Sequence, residues 1–192
     1  ISDARYMVLE GDEYLSSPMD LRPKFHLYKP NIAIINGIAW DHINVFPTFD
    51  IYVEQFKIFA DKIEQNGSLV YFQDDENICK IANGVRKDIK TFPYRELSQE
   101  IVKKYPLKIF GKHNLINLSA AMTALEQIGV KNEDFLKAIQ SFKGASKRLE
   151  LIAESPTQAF YTDFAHSPSK LKATVEAMKN QFTNRKLTAV ME

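Results

Sequence analysis

Short isoleucine- and valine-rich runs alternate along this chain with longer stretches whose apolar residues recur every three to four positions. "NIAIING" (31–37) reads as a buried strand ended by Gly37. "TFDIYVEQFKIFADKIEQNG" (48–67) has apolar residues at 49, 52, 53, 56, 59, 60 and 63, the spacing of a helix, with Asn66-Gly67 as its stop. The alternation continues with a strand at 68–73, a helix at 75–84, strands at 88–94 and 106–111, and helices at 112–129 and 132–142, the second opened by Asn132. A further strand (158–164), a helix with Ser167 as N-cap and Pro168 in its first turn (167–182), and a strand (186–191) close the series. "RYMVLE" (5–10) reads as one more buried strand near the start. Strands alternating with helices predict an α/β fold with a largely parallel sheet. The aperiodic stretch "LIAESPTQ" (151–158) predicts a domain boundary, giving domains 1–152 and 153–192.

The 192 residues suffice for at least one domain with a real core. A net charge of +1 gives no global field for nucleic acid or an anionic membrane. The single cysteine, Cys79, excludes an internal disulfide and a cysteine-rich zinc site, which fits a reducing cytosol. No apolar run reaches the length of a membrane span. Both ends read as cut from a longer chain: the first residues lead almost at once into a strand, and the last stop inside one.

In open parallel sheets, ligands bind beyond the carboxyl ends of the strands. Glu10, in "EGDE", and the pair Asp41-His42 stand at two such ends. A carboxylate and an imidazole can share a divalent cation, which suits phosphate chemistry; solvated turn acids and a capping histidine are the plainer alternatives. "GKHNLINLSAA" (111–121) places His113, Asn114 and Asn117 on the first turns of a helix after a glycine. Two amides on one face can hydrogen-bond a planar heterocycle, although asparagine N-capping explains one of them. Arg148, in "FKGASKRLE", could reach a phosphate bidentately or belong to a solvated face. Asp163, in "YTDFAHSP" with His166, could accept from ribose hydroxyls or simply open a helix.

The order of these motifs resembles the Mur ligases, ATP-dependent enzymes that build the peptide of the bacterial cell wall: E-G-D-E, D-H, G-K-H-N-x-x-N, K-R-x-E, D-F-A-H-x-P. The stretch "KFHLYKP" is most similar to the branch that joins the tripeptide L-Ala-γ-D-Glu-meso-diaminopimelate to UDP-N-acetylmuramate in murein recycling. A sister branch adds L-alanine to the same sugar nucleotide. The resemblance implies a central ATPase-type domain followed by the start of a Rossmann-like C-terminal domain, in a cytoplasmic enzyme. It implies Mg²⁺ ligation by Glu10 and His42, with Asp41 in support. It places His113, Asn114 and Asn117 near adenine, Arg148 near the nucleotide, and Asp163 in closure over ATP. No G-x-x-x-x-G-K followed by Ser or Thr occurs in these residues, so the phosphate loop is expected before Ile1 and the fragment is expected to be inactive by itself. Gly37 stands where the family has asparagine, with Asn36 one place earlier. The family's modified lysine, four residues after a tyrosine, would fall from Tyr52 onto Phe56, so none is assigned. Folylpolyglutamate synthase and a non-catalytic nucleotide-binding module are the competing readings.

Overall fold

The computed structural model describes residues 3–40 and 43–191, in two compact units, 1–93 and 94–192. In the first unit a 3-10 turn (Lys24–Leu27) leads into β1 (Ile32–Ile35), α1 (Phe49–Asp61), β2 (Ser68–Phe72), α2 (Glu76–Gly84) and β3 (Lys90–Tyr94). The sheet order is β1-β2-β3, and β1 runs parallel to β2 with Ile32 opposite Ser68 and Ile35 opposite Tyr71. The parallel pair follows from its connection, since a helical crossover returns the chain in the same direction.

Thr48 caps α1 by accepting from the Ile51 N–H at 3.3 Å. The helix stops at Asp61, before the expected Asn66-Gly67. Arg86 accounts for the early stop by donating to the carbonyls of Asp61 (2.6 Å) and Ile63 (2.8 Å). Asn66-Gly67 instead makes the turn into β2, Asn66 with φ 60°. A Cβ at Gly67 would lie 2.7 Å from the Asn31 carbonyl oxygen, so only glycine lets β1 and β2 begin side by side. Phe25, Ile63, Leu69 and Ile78 are almost fully buried in this unit's core.

The second unit holds α3 (Gln99–Lys104), α4 (Lys112–Glu126), α5 (Asn132–Ile139), β4 (Glu150–Glu154), β5 (Ala159–Thr162) and α6 (Pro168–Gln181). Leu97, Leu115, Leu118, Phe135 and Leu136 form its core. β4 and β5 pair antiparallel.

Several expected elements are absent. Residues 5–10 form no strand, and Met7, Val8 and Leu9 are 79, 96 and 55% exposed. A buried strand needs hydrogen-bonded neighbours, and among the described residues no strand pairs with this run. Residues 106–111 and 186–191 also lack strand pairing. The aperiodic stretch is β4 with a turn: the Ser155 N–H donates to the Gln158 carbonyl at 2.7 Å, and the Gln158 N–H to Ser155 Oγ at 3.0 Å. Positions 152 and 153 lie within β4. Asn132 does not cap α5; Lys131 stands at that position, and the Asn132 amide donates to Glu126 at 2.8 Å. Ser167 precedes Pro168 as expected but makes no side-chain cap bond.

Candidate nucleotide site

The second unit holds five of the sequence-predicted residues: His113, Asn114, Asn117, Arg148 and Asp163. Gly111 opens α4 with φ 91°, and a Cβ there would lie 2.7 Å from the Ala177 Cβ of α6. Glycine thus lets the start of α4 press against α6. Phe110 fixes the approach: its ring meets Tyr161 edge-on at 5.7 Å and Phe182 at 6.2 Å.

On the first turn of α4, the Asn114 Nδ2 donates to the Phe110 carbonyl at 2.7 Å. That bond orients the amide, because only its NH₂ end can face a carbonyl. Asn114 Oδ1 then has no protein partner among the described residues. His113 is half-buried, and its ring nitrogens make no protein hydrogen bond among the described residues. Burial lowers its pKa; the Asp163 carboxylate partly opposes the shift and Arg148 adds to it, so the imidazole is neutral at pH 7. Asn117 lies on the exposed side of α4, one turn further, and is itself engaged in an interaction.

Arg148 is exposed and held by an unusual turn. Lys147 (φ 55°) and Leu149 (φ 46°), on either side of it, are both left-handed. That conformation costs a non-glycine residue roughly 1–2 kcal/mol. Specific bonds sustain it: the Leu149 N–H donates to Asp163 Oδ2 at 2.8 Å, and the Phe164 N–H to the Lys147 carbonyl at 2.8 Å. Glu150 accepts from the Lys147 N–H at 2.7 Å. The Arg148 guanidinium lies 5.9 Å from the Phe164 ring centroid and makes no hydrogen bond to a described residue.

Asp163 differs from these three. Besides Leu149, it accepts from the Ala165 N–H at 2.8 Å and the Thr174 hydroxyl at 3.0 Å. Its carboxylate is largely engaged inside the protein. His113, Asn114 Oδ1 and the Arg148 guanidinium retain open hydrogen-bonding capacity: a neutral imidazole, an amide acceptor and a cationic fork. Together they can take a heterocycle and an anion.

The first unit holds the acidic motif. Glu10 is exposed. Asp12 accepts from the Tyr14 N–H at 2.8 Å and pairs with Lys24 at 2.6 Å. The Phe25 N–H donates to the Asp12 carbonyl and the Lys24 N–H to that of Tyr14, which closes 12–25 into a loop. The Tyr52 hydroxyl donates to Glu13 at 3.4 Å, tying that loop to α1. Asp41 and His42 lie outside the described residues. Among the described residues no group of three or more His, Cys, Asp or Glu side chains could hold a metal ion.

Sequence reasoning missed Asp75 and Thr174. Asp75 caps α2 through the Asn77 and Ile78 N–H groups and also accepts from the Ile38 N–H beyond β1. An acid immediately before a helix is a readable cap signal. Thr174 is a lone hydroxyl within α6 and carries no comparable signal.

Residues 2–125 match the Mur ligase middle domain. The chain belongs to the Mur ligase family. It is 31% identical to the UDP-N-acetylmuramate–L-alanine ligase of Caldicellulosiruptor bescii, over 100% of this chain and 45% of that protein. It is also 31% identical to the UDP-N-acetylmuramate–L-alanyl-γ-D-glutamyl-meso-2,6-diaminoheptandioate ligase of Haemophilus influenzae, over 94% of this chain and 44% of that one. This Mur ligase chain therefore spans less than half the length of those curated relatives. Among solved structures, MurF from Acinetobacter baumannii superposes with a TM-score of 0.68 at 20% identity, over 85% of this chain and 40% of that one. A murein peptide ligase from Psychrobacter arcticus superposes with a TM-score of 0.65 at 23% identity, over 95% and 43%. The Mur ligase middle-domain fold, mixed α/β with a parallel sheet, agrees with the expectation from sequence.

Proposed function

We infer that the whole protein is an ATP-dependent carboxylate–amine ligase acting on UDP-N-acetylmuramate in the cytoplasm. The observation that carries this reading is the cluster of open hydrogen-bonding groups on His113, Asn114 and Arg148. Its donor and acceptor types fit a nucleotide. Asn114 Oδ1 would accept from an adenine amino group, with His113 and Asn117 beside the base. Arg148 would hold phosphate oxygens, a bidentate task suited to guanidinium. Asp163 would bear on nucleotide closure mainly through the turn it holds. The domain boundary near 152/153, with residues 153–192 opening a Rossmann-like domain, belongs to the same proposal.

Exposed carboxylate oxygen is the donor type that Mg²⁺ takes, and Glu10 offers it. Glu10 and His42 would hold the ion, with Asp41 in support. Bound there, Mg²⁺ would offset the negative charge of the triphosphate. The muramate carboxylate oxygen attacks the γ-phosphorus, ADP departs, and an acyl phosphate results. The amine nitrogen then attacks the acyl carbon, phosphate leaves and an amide forms. Arg148 neutralises charge on the nucleotide, and His113, neutral at pH 7, adds no second cation beside it.

The proposed amine is L-Ala-γ-D-Glu-meso-diaminopimelate, which the "KFHLYKP" stretch favours. L-alanine is the second reading, favoured by the 31% identity over the whole chain to an L-alanine ligase. Full-length protein incubated with labelled ATP, UDP-N-acetylmuramate and either amine tests both. Amine-dependent phosphate release with the tripeptide alone is expected. Release with L-alanine alone transfers the assignment, and release with neither overturns the ligase reading.

A further inference from the structure

Arg148 sits between two left-handed residues, a conformation the backbone does not keep unaided. What keeps it traces back to α6. The Thr174 hydroxyl donates to Asp163 Oδ1 at 3.0 Å, and the Ala165 N–H donates to the same oxygen at 2.8 Å. These two donors leave Asp163 Oδ2 facing the Leu149 N–H at 2.8 Å. Leu149 itself is buried, so its amide is anchored on one side by the core and on the other by Asp163. One residue beyond Asp163, the Phe164 N–H secures the Lys147 carbonyl at 2.8 Å, and the Phe164 ring lies under the Arg148 guanidinium. A chain of bonds therefore runs from a helical hydroxyl to the turn that carries the exposed Arg148.

We propose that Thr174 is a positioning residue for Arg148: through Asp163 it locks the left-handed 147–149 turn that presents the guanidinium to the nucleotide phosphates. Arg148 is the group that meets the substrate; Thr174 and Asp163 act through it. Losing the hydroxyl removes one of the two donors on Oδ1. The carboxylate can then rotate, the Leu149 N–H loses its acceptor, and the turn relaxes toward right-handed backbone with Arg148 displaced. The substrate role of Arg148 rests on the ligase reading, whereas the lock on the turn does not.

The test uses full-length protein carrying Thr174→Val, which keeps the side-chain shape without the hydroxyl, and Thr174→Ser, which keeps the hydroxyl. Without substrates, amide exchange at Leu149 should accelerate about ten-fold in the valine variant and return to within two-fold of wild type in the serine variant. In the ligation assay, the valine variant should raise KM for ATP about ten-fold while KM for the sugar nucleotide stays within two-fold. Where valine gives no folded protein, Thr174→Ala carries the same expectations. Unchanged exchange at Leu149, or equal losses with serine and valine, overturns the proposal. Accelerated exchange in a protein whose wild type performs no ATP-dependent ligation leaves the lock standing and removes the ligase reading instead.

Discussion

At Asn114 the Phe110 carbonyl decides which end of the amide faces outward. Because the NH₂ end is held at 2.7 Å, the oxygen is presented in one orientation without any ligand present. Such preorganisation lowers the cost of binding, since no rotamer has to be fixed on association. Asn114→Ala in the full-length protein should therefore raise KM for ATP about ten-fold, the loss of roughly one hydrogen bond, and leave KM for UDP-N-acetylmuramate unchanged. Steady-state kinetics with each substrate varied in turn checks this, and an unaltered KM for ATP removes Asn114 from the adenine site. His113, Asn114, Arg148 and Asp163 were all legible as polar groups at the ends of predicted elements. The internal engagement of Asp163 was not, because two of its three partners, the Leu149 amide and the Thr174 hydroxyl, come from positions more than ten residues away. Leu149 is a leucine in a glycine-like conformation, and residue type alone does not announce that.

Among the elements, α2 depends on a side chain with two tasks. One oxygen of Asp75 caps the helix through Asn77 and Ile78 at 2.9 and 3.2 Å. The other accepts from the Ile38 N–H at 3.1 Å, tying the segment after β1 to the segment after β2. Loss of a cap costs typically about 1 kcal/mol, and an amide left without its acceptor about 1–3 kcal/mol. Asp75→Ala should accordingly destabilise the protein by about 2–4 kcal/mol, read as a lower urea midpoint at unchanged slope. A midpoint within error of wild type would show that water replaces both bonds. Local periodicity made β1, α1, β2, α2, α4 and α6 readable, since each carries its own apolar pattern and a stop or cap. Residues 5–10 have the composition of a strand, but composition cannot supply a neighbour, and pairing is what makes a strand. In β4 the reverse holds. Its Ser-Pro-Thr-Gln turn between "ELIAE" and "AFYT" is a hairpin signal without any helical period.

For the whole molecule, each of the two units carries its own buried core, one around Phe25 and Leu69 and the other around Leu118 and Phe135. Residues of the proposed reaction belong to both. Glu10 is exposed in the first and lies outside its core, so its proposed metal role is separable from stability. A substitution at such a surface position changes stability by no more than about 0.5 kcal/mol. The loop behind it is held by other groups, the Lys24–Asp12 pair and the backbone bonds from Lys24 and Phe25. Glu10→Ala in the full-length ligase should therefore leave the unfolding midpoint in place while kcat falls at least about 100-fold, the scale of removing one electrostatic stabiliser of the transition state. The Mg²⁺ concentration for half-maximal rate should rise with it. Asn114→Ala, by contrast, should act on KM for ATP at ordinary Mg²⁺. Near-normal turnover of the Glu10 variant would remove the carboxylate from the metal site. A joint fall in turnover and midpoint would show that Glu10 supports the 12–25 loop rather than the chemistry.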